Sequence, residues 1–321
     1  MEIVLNLILF VLGMAALYYG AEFLVKGGCA IAEKAGVSPL VIGLTLVACA
    51  TSAPELVVSV SAAISGNADI SLGNIVGSNI CNIALILGLC ACITPLSVKY
   101  QVLRLDAPVM AGAAILLTVF YFMSNGLNRI HGLILFLLFL AYTFWNIYAS
   151  RKEEKAAAVP EEKTEEQPKK KYSLFFSCFL VAFGLGLLIA GAELFLKSSV
   201  FFAKLFDLSD TVIGLTIVAV GTSLPELATS VVAAIKGEKD IAIGNVVGSN
   251  IFNVLGILGI TPLISPLKNS TLAPVDFGVM LFSTLLLLPM MRTGWKLSRW
   301  EGAALLFIYV AYTVYLLQPS F

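Results

Sequence analysis

Charge is scarce in this chain. Asp, Glu, Lys and Arg make up 12% of 321 residues, twenty acids against twenty bases. A net charge of zero means no overall excess of basic residues, and no nucleic-acid partner is expected. Histidine is scarcer still: His131 is alone, so neither imidazole catalysis nor a histidine metal centre has much to draw on. The six cysteines (Cys29, Cys49, Cys81, Cys90, Cys92, Cys178) lack metal-ligand spacing and lie in apolar runs, where they read as small fillers. No resident cofactor is expected.

Apolar residues fill the space that charge leaves. Hydrophobic residues are 59% of the chain and mean hydropathy is +0.95, too apolar for a soluble domain. Runs long enough to cross a hydrocarbon layer of about 30 Å, at about 20 residues each, lie at 3–31, 39–65, 70–95, 106–123 and 129–149. Five more lie at 174–203, 210–236, 241–266, 272–291 and 299–317. The expected fold is an all-α polytopic membrane protein with ten transmembrane helices. The first run has no basic start and carries Glu22 and Lys26, so it reads as a retained helix and not a cleaved signal.

Residues 41–82 recur at 212–253, an offset of 171, with about two thirds of the positions identical. Gly20-Ala21-Glu22 with Lys26 recurs at the same offset as Gly191-Ala192-Glu193 with Lys197. The repeated unit is therefore five helices. An odd count sends the second copy into the membrane from the opposite side, giving two inverted repeats over 1–149 and 173–321 joined by a linker, 150–172. Basic residues agree with alternating loops: Lys34, Lys99, Arg104, seven in the linker, Lys236, Lys239, Arg292, Lys296 and Arg299 share one side. Only Arg129, Lys204 and Lys268 fall on the other. The linker is thus expected in the cytoplasm and both termini outside it, in a cell (plasma or inner) membrane. Its sequence, RKEEKAAAVPEEKTEEQPKKK from Arg151, cannot bury apolar surface and reads as a solvated tether instead of a regulatory calcium site.

The duplicated element Thr51-Ser52-Ala53-Pro54-Glu55, repeated as Thr222-Ser223-Leu224-Pro225-Glu226, places a carboxylate in each apolar run. Pro54 cannot donate to the Ala50 carbonyl and its ring crowds that turn, so a kink should release backbone oxygens near residues 48–51. At membrane depth such oxygens need a polar cavity or cations. Thr51 and Ser52 precede Glu55 by four and three residues, which puts hydroxyls and carboxylate on one helical face. Carbonyls, hydroxyls and a carboxylate are hard ligands that suit Ca²⁺ and Na⁺. The following helix carries Gly73-Asn74-x-x-Gly77-Ser78-Asn79-x-x-Asn82, repeated as Gly244-Asn245-x-x-Gly248-Ser249-Asn250-x-x-Asn253. Its glycines form small-xxx-small pairs for close helix approach, while Ser78, Asn82, Ser249 and Asn253 either bond helix to helix or line a cation path. For Glu55 and Glu226 an ion path is the stronger reading, because an ionisable group at mid-membrane is costly.

Other charges have plainer explanations. Asp69, Asp106, Asp240 and Asp276 open helices, where the dipole favours an acid. Glu22 and Glu193 each have a Lys four residues on, which reads as an ion pair near the interface, with a gating role on the first helix of each half as the alternative.

At Gly43-Leu44-Thr45, Gly214-Leu215-Thr216, the paired Thr-Ser-x-Pro-Glu elements and the paired Gly-Asn-x-x-Gly-Ser-Asn elements, the chain resembles the sodium/calcium exchangers of the cation/calcium antiporter superfamily, prokaryotic type. The resemblance covers both repeats. It implies four cation sites between the repeats, with Glu55 and Glu226 as central Ca²⁺ ligands and the backbone oxygens of Thr51 and Thr222 completing that site. It assigns Na⁺ to Ser52, Ser223, Ser78, Ser249 and the carbonyls of Ala48 and Ala219, with Asn82 and Asn253 lining the centre. The partners it implies are Ca²⁺, Na⁺ and the bilayer, carried by a monomer in which the first helix of each half moves across the site.

Several relatives carry Asp where this chain has Asn253. Two carboxylates balance one Ca²⁺, whereas three Na⁺ would leave about one positive charge, so a three-to-one exchange would be electrogenic. An acidic residue at this place accompanies K⁺ dependence, so Asn253 points to a K⁺-independent exchanger. Ca²⁺/H⁺ antiport is the alternative; a channel with a ring of two glutamates, and an intramembrane enzyme, are the other classes. No His, Lys or Asp keeps spacing with Ser52 or Ser223 as a general base, so no enzyme activity is expected.

Overall fold

The computed structural model describes residues 2–124, 126–157, 172–206, 219–268, 270 and 272–317, with backbone only over 153–157. Among the described residues the regular structure is helical, apart from four two-residue strands. The helices are α1 (Glu2–Ala35), α2 (Pro39–Thr51), α3 (Ala53–Ile64), α4 (Ala68–Ile93), α5 (Val102–Ser124) and α6 (Arg129–Ala157). The second half holds α7 (Leu174–Leu205), α8 (Leu224–Ile235) behind a helical turn Ala219–Gly221, α9 (Lys239–Ile264), α10 (Pro274–Arg292) and α11 (Arg299–Leu316). Among the described residues seven helices have the length and apolarity of a membrane crossing, and α2 with α3 makes an eighth bent by 47°. The remaining two expected runs, 210–236 and 299–317, contain α8 and α11, which fall short of that measure. The Gly214-Leu215-Thr216 motif lies outside the described residues, as does the linker over 158–171.

Local chemistry sets the ends of these helices. Ser38 caps α2 through the Val41 amide and Pro39 occupies its first turn, while Ser298 and Glu301 form a reciprocal capping box on α11. Gly66 and Gly237, at φ +79° and +85°, close α3 and α8 in the left-handed conformation that only glycine adopts cheaply. The next amides, of Asn67 and Glu238, then reach back to Ala62 and Ala233 at 2.8 and 2.9 Å.

The most apolar window of α9 is fully buried and that of α4 is 78% buried, against 17% in α1 and 22% in α6. Polar motifs therefore sit on the central helices, and the outer ones carry the lipid-facing side chains.

The two halves interlock. A Cβ on Gly88 of α4 would meet the Gly302 carbonyl of α11 at 3.0 Å, and one on Gly132 of α6 would meet the Gly259 carbonyl of α9 at 2.7 Å. Thus α4 packs on α11, and α6 on α9, each across the boundary between the halves. Short antiparallel bridges repeat the pattern: Leu96 pairs with Leu297, and Leu127 with Leu267. Long α1 and α7 meet along a glycine seam, Gly13 against Gly191, Gly20 against Gly184 and Gly27 against Ser177. Contacts that descend α7 as they climb α1 make the two helices antiparallel. In the centre, Gly244 and Gly248 of α9 let Leu40 and Leu44 of α2 approach so closely that a Cβ on Gly248 would lie 2.5 Å from the Leu44 carbonyl.

Candidate functional site

Both Pro-Glu elements break their helices one residue before the turn that holds the proline. Ser52 sits at φ −81°, ψ 11° and Ser223 at φ −87°, ψ 8°, in the bridge region, with the prolines in the first turns of α3 and α8. The Ser52 amide keeps its helical bond to Ala48 at 3.0 Å, whereas the Ser223 amide bonds Val220 at 3.1 Å. The Ala48 carbonyl is therefore not released by the kink. It collects donors instead, with Thr51 Oγ1 at 3.3 Å and Ser249 Oγ at 3.5 Å.

The break also redirects the serines. Helical spacing pairs Ser52 with Glu55, but the non-helical ψ turns Ser52 outward from that face. Its hydroxyl donates to Glu226 Oε1 at 2.8 Å, and Ser223 donates to Glu55 Oε1 at 3.1 Å. Ser78 approaches the same Glu55 oxygen at 3.5 Å and accepts from Ser223 at 3.4 Å. Glu55 is 1% exposed and Glu226 0%, and each carboxylate has one oxygen, Oε2, with no donor.

Asn82 and Asn253 add two more such oxygens. Their amide nitrogens are held by Asn250 and Asn79, at 3.1 and 3.0 Å, while Oδ1 of each is buried without a partner. Four acceptor oxygens thus lie buried with no donor to satisfy them, an arrangement that costs free energy unless a cation completes it. The donor set is two carboxylates with hydroxyl and amide oxygens; among the described residues no group of three or more His, Cys, Asp or Glu could hold a metal. Hard, mostly neutral oxygen ligands fit alkali or alkaline-earth ions.

The structure thus brings together Glu55, Ser78 and Ser223; Glu226 and Ser52; and Thr51, Ala48 and Ser249, while Asn82 meets Asn250 and Asn253 meets Asn79. Thr222 is half-buried and has no bond to Asn74 to match the 3.1 Å bond from Thr51 to Asn245. Ala219 begins the helical turn before the second break.

Sequence reasoning gave no role to Asn74 and Asn245. Each spans the two helices of its own half: Asn74 Nδ2 donates to the Glu55 carbonyl at 3.2 Å and Ser59 Oγ at 3.0 Å, and Asn245 Nδ2 to the Glu226 carbonyl at 3.4 Å and Ser230 Oγ at 2.9 Å. The signal was their common offset of 171.

Around the site, the helix-opening acids have specific partners. Tyr142 donates to the fully buried Asp106 at 2.9 Å, and Tyr312 to the half-buried Asp276 at 2.8 Å. Asp240 pairs with Lys99 at 2.7 Å and Asp69 accepts from Ser270 at 2.7 Å. Glu22 pairs with Lys26 at 2.7 Å as expected, and also with Lys236 beyond α8 at 3.2 Å; Glu193 has Lys197 at 2.8 Å on an exposed surface. His131 stacks on Phe120 at 4.2 Å, at the start of α6.

Two broken helices that close on buried carboxylates, inside a shell of lipid-facing helices, define an integral membrane ion transporter. The chain belongs to the sodium/calcium exchanger family, whose model, "Sodium/calcium exchanger protein", matches residues 5–148 and 176–318. The sodium/calcium exchanger MaX1 of Methanosarcina acetivorans is 36% identical over 98% of this chain and 99% of its own. The inner membrane protein YrbG of Escherichia coli is 34% identical over 87% of this chain and 86% of its own. Among solved structures, the sodium-calcium exchanger NCX_Mj, soaked with zero Na⁺ and Ca²⁺, superposes with a TM-score of 0.82 at 34% identity, covering 98% of this chain and 99% of that one. The protein is accordingly an antiporter of this family and not an enzyme.

Proposed function

We propose that this protein exchanges Ca²⁺ for Na⁺ by alternating access, electrogenically and without K⁺. The observation that carries the proposal is the set of four buried oxygens without donors: Oε2 of Glu55 and Glu226, and Oδ1 of Asn82 and Asn253. Two carboxylates match the charge of one Ca²⁺, and the same two are required for Na⁺, so either ion excludes the other. That competition produces antiport. In this reading Glu55 and Glu226, with the backbone oxygens of Thr51 and Thr222, bind Ca²⁺. Ser52, Ser78, Ser223 and Ser249 with the carbonyls of Ala48 and Ala219 bind Na⁺, and Asn82 and Asn253 line the centre.

The architecture in this reading is ten spans in two inverted repeats, 1–149 and 173–321, with the linker 150–172 in the cytoplasm and both termini across a cell membrane. The antiparallel packing of α1 on α7 supports the inversion, since these helices occupy equivalent places in the two halves. Their smooth glycine seam suits sliding across the fixed centre. One chain contains the whole site, which supports a working monomer.

Purified protein in liposomes tests the proposal. An outward Na⁺ gradient is expected to drive Ca²⁺ uptake, an inside-positive potential to speed it, since three Na⁺ leaving for one Ca²⁺ entering carry net positive charge outward, and replacement of K⁺ to leave it unchanged. Uptake driven by a pH gradient and not by Na⁺ would overturn the reading in favour of Ca²⁺/H⁺ exchange.

A further inference from the structure

We propose that Asn79 and Asn250 are positioning residues that turn the amide oxygens of Asn82 and Asn253 toward the transported cations. This rests on the exchanger reading and adds to its ligand set. An asparagine amide accepts at one end and donates at the other, and half a turn about its last bond exchanges the two. Beside a cation the two orientations have opposite sign: the oxygen attracts and the NH₂ repels. Asn82 and Asn253 therefore need something that chooses.

The choice is made across the boundary between the halves. Asn253 Nδ2 donates to Asn79 Oδ1 at 3.0 Å, and Asn82 Nδ2 donates to Asn250 Oδ1 at 3.1 Å. The two acceptors are held in turn, because Asn79 Nδ2 donates to the Asn250 carbonyl at 3.4 Å and Asn250 Nδ2 approaches Met110 Sδ at 3.6 Å. With their own NH₂ groups engaged, Asn79 and Asn250 offer only oxygen to Asn82 and Asn253. Those two residues must then point nitrogen toward the neighbour and oxygen away from it. Their Oδ1 atoms are left without a protein partner in residues at most 1% exposed. The arrangement occurs twice, at positions related by the repeat, and it sets half of the donor-free oxygens at the centre.

Initial rates of Na⁺-driven Ca²⁺ uptake test the role. In Asn79→Ala the amide of Asn253 is free to turn, and half-saturating Ca²⁺ is expected to rise about tenfold or more while the maximal rate changes less. The discriminating background is Asn253→Asp, whose carboxylate has two oxygens and nothing to orient. Adding Asn79→Ala to it is expected to move half-saturating Ca²⁺ by less than about twofold from that background's own value. An equal shift on both backgrounds, or no shift on the wild-type one, overturns the proposal. Should Asn79→Ala not accumulate folded, Asn250→Ala with and without Asn82→Asp is the mirror test, read in the same way. Because the wild-type protein runs in the same vesicles, failure of the exchanger reading shows there first, independently of any variant.

Discussion

Ser52 donates its hydroxyl to Glu226, 2.8 Å away and 174 residues later in the chain. With the reciprocal bond from Ser223 to Glu55, it makes each half of the protein supply the hydroxyl that steadies the other half's charge. Neither half holds a complete site.

Replacing one carboxylate by its amide, Glu55→Gln or Glu226→Gln, is expected to lower Ca²⁺ flux at least about a hundredfold. Breaking a buried charge set costs about 3–5 kcal/mol, and every 1.4 kcal/mol is about tenfold. Liposome flux at a fixed Na⁺ gradient measures it, with a melting curve to show that the variant is folded. Flux within about twofold of wild type would sink the assignment of both glutamates.

A hydroxyl can give its proton to a carboxylate and still offer a lone pair to Na⁺. Ser52→Ala removes both functions, and half-saturating Na⁺ is expected to rise about tenfold, since a hydrogen bond to a charged group is worth roughly 1.5–3 kcal/mol. Ser223→Ala, which breaks a longer bond, is expected to cost less. The Na⁺ dependence of uptake at saturating Ca²⁺ separates them.

Gly248→Val tests the close approach of α9 to α2. A Cβ there would overlap the Leu44 backbone at 2.5 Å, and backbone cannot swing aside. Overpacking of about 1–3 kcal/mol is expected to lower the melting temperature in detergent by about 5 °C. The control is Gly186→Ala on α7, where a Cβ meets nothing within 4 Å, and melting is expected to move by no more than about 1 °C.

The duplicated Tyr–Asp pairs predict an asymmetric cost. Tyr142→Phe strips the hydroxyl from a fully buried carboxyl whose second oxygen already lacks a donor, and about 1–3 kcal/mol of stability is expected to go. Tyr312→Phe leaves Asp276 with access to water, so its loss is expected to be smaller. Parallel melting curves settle the order.

Much of this was legible in the sequence because it depends on neighbours along the chain. Apolar runs marked most of the helices, Pro54 and Pro225 marked the breaks, and isolated glutamates in those runs marked the centre. What spacing could not supply was partnership between distant segments. Ser52 looked three residues ahead to Glu55 until its own ψ of 11° turned it toward Glu226. Asp240 and Asp69 looked like simple helix caps, yet Lys99 and Ser270, from the opposite halves, meet them. Glu22 seemed satisfied by Lys26, but Lys236 also ties it to the end of α8. Asn79 and Asn250 were visible only as part of a repeated motif, since their bonds run between the copies.

The glycine contacts that interlock the halves also constrain how the protein is made. α4 is threaded into the bilayer early, yet the surface around Gly88 finds its partner, Gly302, only when α11 has left the ribosome. During that interval the first half is a set of inserted helices with an open flank facing lipid. The packing around Gly88 is therefore completed only by the last helix of the described chain, and a chain cut off before α11 leaves that flank of α4 uncovered.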